Sequence, residues 1–279
     1  MYSFQTVERV VQVNTLVEIF NHPRPKGFYF QGESHDFWEG VYVHEGEVTA
    51  TADEQVYQLR PGQILFHRPM EFHRIWSNPD CAPRIVNISF QADGELLQNM
   101  NYRCFDLNPQ QQELFWKVVN AFSQAKRLKK EVDINHRHRI TLNLAASLLE
   151  VFLIELSENN TYTTPSQSPN DERYSKIVQV MKANRHKNLS LDDLAEQCQM
   201  SVSNMKRVFH QYSDVGIAKY FLTLKIRHAM ELLESGTPAA EVAEALSFSD
   251  TAYFYTVFKR ETGMTPAQYT SQKQRNLFD

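Results

Sequence analysis

The chain has 279 residues, a formal net charge of −4 and 42% hydrophobic residues. This length favours about two domains, each able to bury its own core, and the composition is that of a globular protein. The three cysteines (Cys81, Cys104 and Cys198) are far apart and odd in number. They argue against a disulfide framework or a zinc site and fit a reducing cytoplasm.

The two parts of the chain differ in charge, and neither shows a targeting segment. Residues 1–170 carry 15 Lys/Arg against 20 Asp/Glu, whereas residues 171–279 carry 14 against 13. The near-neutral second part can still bind nucleic acid if its basic residues share one face. The N-terminus, MYSFQTVERVVQ, lacks a basic stretch followed by an apolar one, and no apolar run approaches the ~20 residues that span a bilayer. We therefore expect a cytoplasmic protein without membrane contact.

Strand patterns come first along the chain, and helical patterns follow. Residues 27–92 alternate in polarity, are rich in Val, Thr and Tyr and contain a Pro-Gly turn, which indicates a small sandwich or barrel of short strands. Residues 109–128 and 136–157 have apolar residues at three- and four-residue steps, which predicts two amphipathic helices. The polar segment 157–172 contains two prolines and predicts a flexible linker. From Tyr174 onward the chain is predicted to be helical.

One sequence unit occurs twice in the helical part. Met205 and Phe209 in the first copy have the spacing of Phe254 and Phe258 in the second, and each copy follows a similar run, DLAEQC or EVAEAL. Each copy predicts a helix-turn-helix: a supporting helix, a short turn and an exposed polar helix. The exposed helices leave these residues outside: Ser203, Asn204, Lys206, Arg207 and His210 in the first copy, and Thr251, Ala252, Tyr255, Thr256 and Lys259 in the second.

A single helix-turn-helix is often only a pair of packed helices, so the duplication is the more informative feature. A helix predicted over residues 217–234 joins the two units. Two such units can present two exposed helices to successive major grooves, which are ~34 Å apart on one face of B-DNA. The duplication therefore predicts that both exposed helices bind DNA.

The run SDTAYFYTVFKRETGMTPAQY resembles the signature of AraC/XylS-type transcription regulators, in which a helix bridges two helix-turn-helix units. The resemblance covers residues 171–279. It implies that six of the outward residues contact bases or phosphates: Asn204, Lys206, Arg207, Thr251, Ala252 and Tyr255. Ser247 stands where the family often has glycine, and Thr256 where a basic residue is common. We therefore expect weaker or more shape-dependent readout from the second helix.

The strand region carries a second resemblance. His35, Glu39 and Gly46 have the spacing H-x3-E-x6-G, and a later segment ends at His73. This resembles a cupin-type β-barrel, the usual sensor domain of sugar-responsive members of the same family. Cupins often bind a metal, but Glu33 occupies the position of their first histidine, so we expect a pocket without metal or other cofactor. The predicted effector-binding residues are His35, Glu39, His73 and Asn87.

These patterns predict a two-domain α+β protein. Residues 1–156 form a cupin-like β-barrel with dimerisation helices, 157–172 a linker, and 173–279 an all-α domain with two helix-turn-helix units. The predicted function is sequence-specific DNA-binding transcription regulation, without enzymatic activity, in response to a small polar metabolite such as a sugar. The alternatives are a metal-dependent cupin enzyme with a helical appendage, and a regulator whose barrel senses nothing.

The predicted partners are double-stranded DNA, a sugar-like effector and a second copy of the chain, with RNA polymerase as a further candidate. The helix over 136–157 carries more apolar surface than one packing face needs. Its stripe of Ile140, Leu144, Leu148 and Phe152 predicts a patch that meets its copy in a two-fold dimer. The helices within 109–157 are therefore the expected dimer interface.

Overall fold

The computed structural model describes residues 5–100, 104–128, 135–158 and 161–271. The chain divides into two compact units, Met1–Ser166 and Gln167–Asp279. The described part of the first unit is built from strands with two long helices, and that of the second is helical. This division confirms the predicted α+β fold class.

The first unit contains two antiparallel sheets. The six-stranded sheet has the order β1 (Gln12–Pro23), β8 (Arg84–Asp93), β3 (Trp38–Glu45), β6 (Gln63–His67), β9 (Cys104–Asp106) and β10 (Thr161–Thr163). The four-stranded sheet has the order β2 (Tyr29–Glu33), β7 (His73–Trp76), β4 (Val48–Ala52) and β5 (Gln55–Leu59). The predicted strand region missed β1, β9 and β10. β1 is an edge strand with many exposed residues and two register shifts against β8, and three-residue strands carry no readable period.

Alternation along the strands produces two separate cores. On β3, Val41 and Val43 face a cluster that draws residues from both sheets, including Leu65 and Ile75. Tyr42, between them, faces the opposite way into a cluster shared with the helices. Successive side chains on a strand point to opposite faces, so this one strand contributes to both cores.

Two helices cover the outer face of the six-stranded sheet, as predicted. They are α1 (Pro109–Leu128) and α2 (Asn135–Glu158), and a short 3-10 helix (Glu95–Met100) precedes them. On α2, Leu149 and Phe152 are fully buried against the sheet and α1. The predicted apolar stripe was therefore wrong in part, because Phe152 belongs to the core and Leu148 packs partly against it. The exposed apolar residues of α2 are Ile140, Leu144, Val151 and Ile154.

By length and composition alone, the His136–Glu158 segment of α2 could cross a membrane, which the sequence prediction did not anticipate. Its packing explains the composition without a bilayer. Ala145, Leu153 and Leu156 have no exposed surface and join the helix–sheet core. A helix that lines a core on one side and remains apolar on the other passes the same test.

The segment predicted to be a flexible linker, 157–172, is structured over most of its described residues. β10 pairs with β9 inside it, and the Ser166 backbone N–H donates to the Val56 carbonyl at 2.7 Å. Ser168 already caps the next helix. These residues therefore do not form a flexible tether of sixteen residues. Residues 159–160 lie outside the described part, and the domain boundaries themselves stay predictions.

The second unit is a series of helices with well-formed ends: α3 (Pro169–Ala183), α4 (Leu191–Cys198), α5 (Val202–Tyr212), α6 (Ile217–Glu234), α7 (Ala239–Ala245) and α8 (Thr251–Thr262). Ser190 and Asp193 form the expected capping box at the start of α4. Ser201 caps α5, Asp250 caps α8, and Gly263 ends α8 at φ 76°. Side-chain caps satisfy backbone N–H groups that a helix start leaves unpaired, so these residues set where each exposed helix begins.

Candidate functional site

The predicted effector residues meet at one end of the two sheets. Glu39 lies on β3 opposite Ser89 on β8. Asn87 Nδ2 donates to one Glu39 carboxylate oxygen at 3.0 Å, and Ser89 Oγ donates to the other at 3.3 Å. His73, at the start of β7, places Nε2 3.6 Å from Glu39 Oε1. Together with His35, these residues form one polar cluster.

Both histidines of this cluster are held by backbone carbonyl groups. His35 Nδ1 donates to the Phe37 carbonyl at 3.0 Å, and His73 Nδ1 donates to the Glu71 carbonyl at 3.2 Å. Since a carbonyl only accepts, each Nδ1 carries the proton and each Nε2 keeps a lone pair. Both Nε2 atoms are buried, and neither has a hydrogen-bond partner among the described residues.

Burial controls the ionisation of this cluster. It raises the pKa of Glu39 to about 7, with the Glu33 charge adding to the shift and the Ser89 and Asn87 hydrogen bonds opposing it. It lowers the pKa of His73 to about 3, and the nearby His35 adds to that shift. The pKa of His35 is also lowered by burial, while that of Glu33 is raised. Burial therefore favours neutral imidazoles.

Sequence reasoning missed two parts of this site. Glu33, at the end of β2, was set aside because it replaces a histidine, yet its Oε1 lies 3.9 Å from His35 Nε2. His67 was not considered at all. Its ring stacks on His73 with centroids 4.2 Å apart, and its Nδ1 is 2.8 Å from the buried Glu71 carboxylate. The spacing of His67, Glu71 and His73 in HRPMEFH is the signal that could have found it.

The exposed face of α5 carries most of the predicted DNA-contacting residues of the first helix-turn-helix unit. Ser203, Lys206, Arg207 and His210 are exposed, and Asn204 is half-buried. Arg207 donates to the Asn204 side-chain carbonyl at 2.8 Å. A guanidinium held in this way offers its remaining N–H groups to a base edge or a phosphate.

The exposed face of α8 differs in chemistry. Thr251, Ala252, Tyr255, Thr256 and Lys259 are all exposed. The Thr256 hydroxyl donates to the Ala252 carbonyl of its own helix at 3.0 Å, so it is engaged as a donor. Tyr253, which the sequence analysis did not select, is 50% exposed at the first turn. Two tyrosines and two cations, Lys259 and Arg260, thus dominate this face, and Arg260 is paired with Glu261.

A buried lysine joins the two helix-turn-helix units. Lys225 on α6 is 5% exposed and donates to the Leu246 carbonyl at 3.0 Å and to the Asn188 side chain. Asn188 in turn donates to the Ser247 carbonyl at 2.6 Å. The Ser247 hydroxyl donates to the His186 carbonyl at 2.8 Å. This network, hereafter the Lys225 clamp, ties the loop before α4 to the turn before α8.

Two family models match the chain. The model described as "AraC-like ligand binding domain" matches residues 17–150, and the model "Helix-turn-helix domain" matches residues 194–272. Together they span about three quarters of the chain. These are the two regions in which the sequence analysis placed the sensor barrel and the DNA-binding units.

Curated relatives cover most of the chain. The HTH-type transcriptional activator RhaR of Salmonella dublin is 26% identical over 248 residues, 86% of each chain. RhaR of Yersinia pestis is 23% identical over 86% of this chain and 84% of that protein. Among solved structures, ToxT from Vibrio cholerae is 13% identical with a TM-score of 0.37, over 94% of this chain and 98% of that one.

Proposed function

Because this chain belongs to the AraC/XylS family of transcription regulators, we propose that α5 and α8 read two adjacent DNA segments under the control of an effector bound at the Glu39 cluster. The protein is a DNA-binding regulator with a small-molecule-binding domain. The observation that carries the division of labour is the repeated motif itself. Each copy buries its Met or Phe positions and exposes a polar helix face.

In this proposal the first helix-turn-helix unit makes charged contacts through the middle of α5. Lys206 and Arg207 are adjacent on the exposed face of α5, where arginine can bind guanine in a bidentate manner and lysine can neutralise a phosphate. Ser203 and His210 flank them and reach the same groove. The second helix-turn-helix unit contacts DNA through the aromatic and small residues of α8 and through Lys259. This composition suits recognition of groove shape and of thymine methyl groups.

The effector in this proposal is a small polar molecule, with sugars as the first class to test. Glu39 and Asn87 provide hydrogen-bond acceptors and donors that suit hydroxyl groups. Phe37 stacks on His35 with centroids 3.7 Å apart.

A titration of full-length protein with a library of sugars and sugar phosphates tests the effector class. We expect a thermal shift with at least one compound, and a weaker shift in Asn87→Ala. Gln58→Ala, on the exposed side of β5, is the matched control and should respond like the wild-type protein. A library without effect on wild-type protein would refute the sugar class and leave DNA binding untouched.

A second copy of the chain is the proposed partner of α2. Ile140, Leu144, Val151 and Ile154 are 40–55% exposed and recur at steps of three, four and seven residues. Such a stripe suits a helix that packs against its own copy. We expect Leu144→Glu to dissociate full-length dimers in sedimentation equilibrium, whereas Asn143→Glu, one position away and exposed, should not. A Leu144→Glu protein that stays dimeric would exclude this interface.

The remaining assignments follow from this role. Transcription regulators meet DNA in the cytoplasm of bacteria, and we propose that location here. Contact with RNA polymerase is a further proposal. A surface variant that still binds DNA but no longer activates transcription would identify the contact. The barrel acts as a sensor in this scheme, so no turnover of the bound effector is expected.

A further inference from the structure

We propose that Glu33, His35, Glu39 and His73, hereafter the donor cluster, bind a divalent transition-metal ion. Each residue offers one ligand atom, and these four atoms all lie within 4.8 Å of one another. The donors come from the end of β2, the turn before β3, β3 itself and the start of β7. The fold thus brings together residues up to forty positions apart, against the sequence-based expectation of a metal-free pocket.

The orientation of the imidazoles is the first line of support. Both Nδ1–H groups donate to backbone carbonyls, of Phe37 for His35 and of Glu71 for His73. These bonds fix the tautomer in which the Nε2 lone pair points into the donor cluster. Metal-bound histidines are held in this way, with the second ring nitrogen donating to a carbonyl or carboxylate. Both buried Nε2 atoms lack a hydrogen-bond partner in the described chain.

The spacing of the donors is the second line of support. Two ligands on a tetrahedral zinc at 2.0–2.1 Å are about 3.4 Å apart. His73 Nε2 lies 3.6 Å from Glu39 Oε1, and His35 Nε2 lies 4.0 Å from Glu39 Oε2 and 3.9 Å from Glu33 Oε1. These three separations exceed that value by about 0.2–0.6 Å, and the four ligand atoms as a set lie within 4.8 Å of one another, so binding one ion requires the donors to move inward.

The groups around the carboxylates complete the site. Asn87 and Ser89 hold the Glu39 oxygens from β8, which positions that ligand. The Glu33 side chain is 50% exposed, so an ion can enter from its side and a solvent or effector oxygen can bind there. Two imidazoles and two carboxylates, without a thiol, suit a first-row divalent ion such as Zn²⁺, Mn²⁺ or Fe²⁺.

A metal at this position would give effector sensing a specific chemistry. On an ion that accepts five or six ligands, hydroxyl or carboxylate oxygens of the effector could bind in addition to these four donors, and Asn87 could hold a neighbouring group. This step rests on the proposed effector site, whereas metal binding itself does not. The two ideas can therefore fail separately.

The test uses full-length protein that has been stripped with a chelator and dialysed. Isothermal titration with Co²⁺ or Zn²⁺ alone, together with elemental analysis after desalting, should give about one ion per chain. The Co²⁺ spectrum should lack a thiolate charge-transfer band, because the donor cluster contains no cysteine. Glu33→Gln and His35→Asn should each weaken binding at least tenfold, in line with the effect of altering metal-site residues.

The control is His44→Ala, which removes a histidine that also lies beside a glutamate, with Nε2 3.7 Å from Glu45 Oε1. It should bind metal like the wild-type protein. Thermal melting of each metal-free variant checks that the fold is intact. The proposal is overturned if wild-type protein retains far less than one ion per chain, or if Glu33→Gln and His35→Asn bind as tightly as His44→Ala.

Sugar titrations on metal-free and metal-loaded protein separate this proposal from the proposed function. A sugar response that requires the metal supports both. One ion per chain with no sugar response supports the metal site and removes the sugar class. A sugar response in protein that binds no ion overturns the metal site and leaves the effector site in place.

Discussion

The two helix-turn-helix units share a scaffold but differ on the surface that faces outward. Met205, Val208 and Phe209 are buried in α5, as Phe254, Val257 and Phe258 are in α8. At equivalent exposed positions Lys206 corresponds to Tyr255, Arg207 to Thr256 and His210 to Lys259. The difference indicates that packing was retained in both copies while the exposed side chains diverged: the two cations of α5 lie near its middle, whereas those of α8, Lys259 and Arg260, lie in its last turn.

The turns differ as well. Both supporting helices end in a left-handed residue, Gln199 at φ 58° and Ser247 at φ 53°. In both, the next backbone N–H donates to a carbonyl five residues earlier, from Met200 and from Phe248, which is the Schellman arrangement. The first turn reaches its helix cap at Ser201, whereas the second needs one residue more. The exposed helix α8 therefore begins one residue further from the left-handed residue of its supporting helix than α5 does.

The largest expected effect comes from breaking the Lys225 clamp that connects the units. Lys225→Met keeps the apolar stem but leaves the buried Leu246 carbonyl without its lysine donor. We expect a loss of about 3 kcal/mol in the free energy of unfolding, because buried polar groups left unpaired are costly. Urea denaturation of the full-length protein measures it.

The matched control is Lys219→Met, also on α6, which removes an exposed lysine that pairs with Glu261 of α8. Glu261 is 10% exposed but keeps the Arg260 guanidinium as a partner in this variant, so Lys219→Met should lose less stability than Lys225→Met. The clamp variant should also lose more affinity for DNA that engages both units than for DNA that engages one. Equal stability of the two variants would rule out the clamp as a coupling element.

Next in size is the contrast between Arg207 and Thr256. Arg207→Ala should cost ~1–3 kcal/mol of DNA-binding free energy and relax base preference if the guanidinium contacts a base edge. Thr256→Ala should cost less than about 0.5 kcal/mol, because its hydroxyl already donates to the Ala252 carbonyl. Fluorescence anisotropy with selected and scrambled sites measures both.

A uniform loss across sequences in Arg207→Ala, with a shallower salt dependence, would assign Arg207 to phosphate binding instead. Equal costs for the two variants would contradict the idea that the units read DNA by different chemistry. Unchanged binding by folded Arg207→Ala would remove that residue from the DNA surface.

The sequence predicted the DNA-binding unit more fully than the sensor site, for a physical reason. Helix caps and core positions depend on residues within four positions, so Asp250, Gly263 and the buried Phe254 could be read directly from the sequence. The donor cluster depends on register between strands. Glu33 meets His73 because β2 pairs with β7 across a register shift. No local pattern encodes that pairing, and only the resemblance to a cupin barrel placed His35, Glu39 and His73 in one site.

Smaller effects are expected from the caps that start the two exposed helices. Ser201 Oγ accepts from the Asn204 N–H at 3.2 Å, and Asp250 Oδ1 accepts from the Tyr253 N–H at 2.7 Å. Ser201→Ala and Asp250→Ala should each cost ~1 kcal/mol of unfolding free energy. Thermal melts compare them with Ser203→Ala, which lies inside the first turn without a cap role. A cap variant as stable as Ser203→Ala would show that tertiary packing alone fixes that helix start.

The smallest effect should come from adding a charge to the second helix-turn-helix unit with Thr256→Arg. Thr256 is exposed and matches Arg207 in the repeat, so a longer side chain meets no core. One added phosphate contact in water contributes at most about 1 kcal/mol, but it releases one more counterion. The slope of log K against log salt should therefore steepen by about 0.9. Lys259→Ala, on the same face, should flatten the slope by a similar amount if it contacts phosphate. If Thr256→Arg leaves both affinity and slope unchanged, this turn of α8 does not approach the DNA backbone. The second helix-turn-helix unit then binds DNA through the first turn of α8, at Thr251, Ala252 and Tyr255.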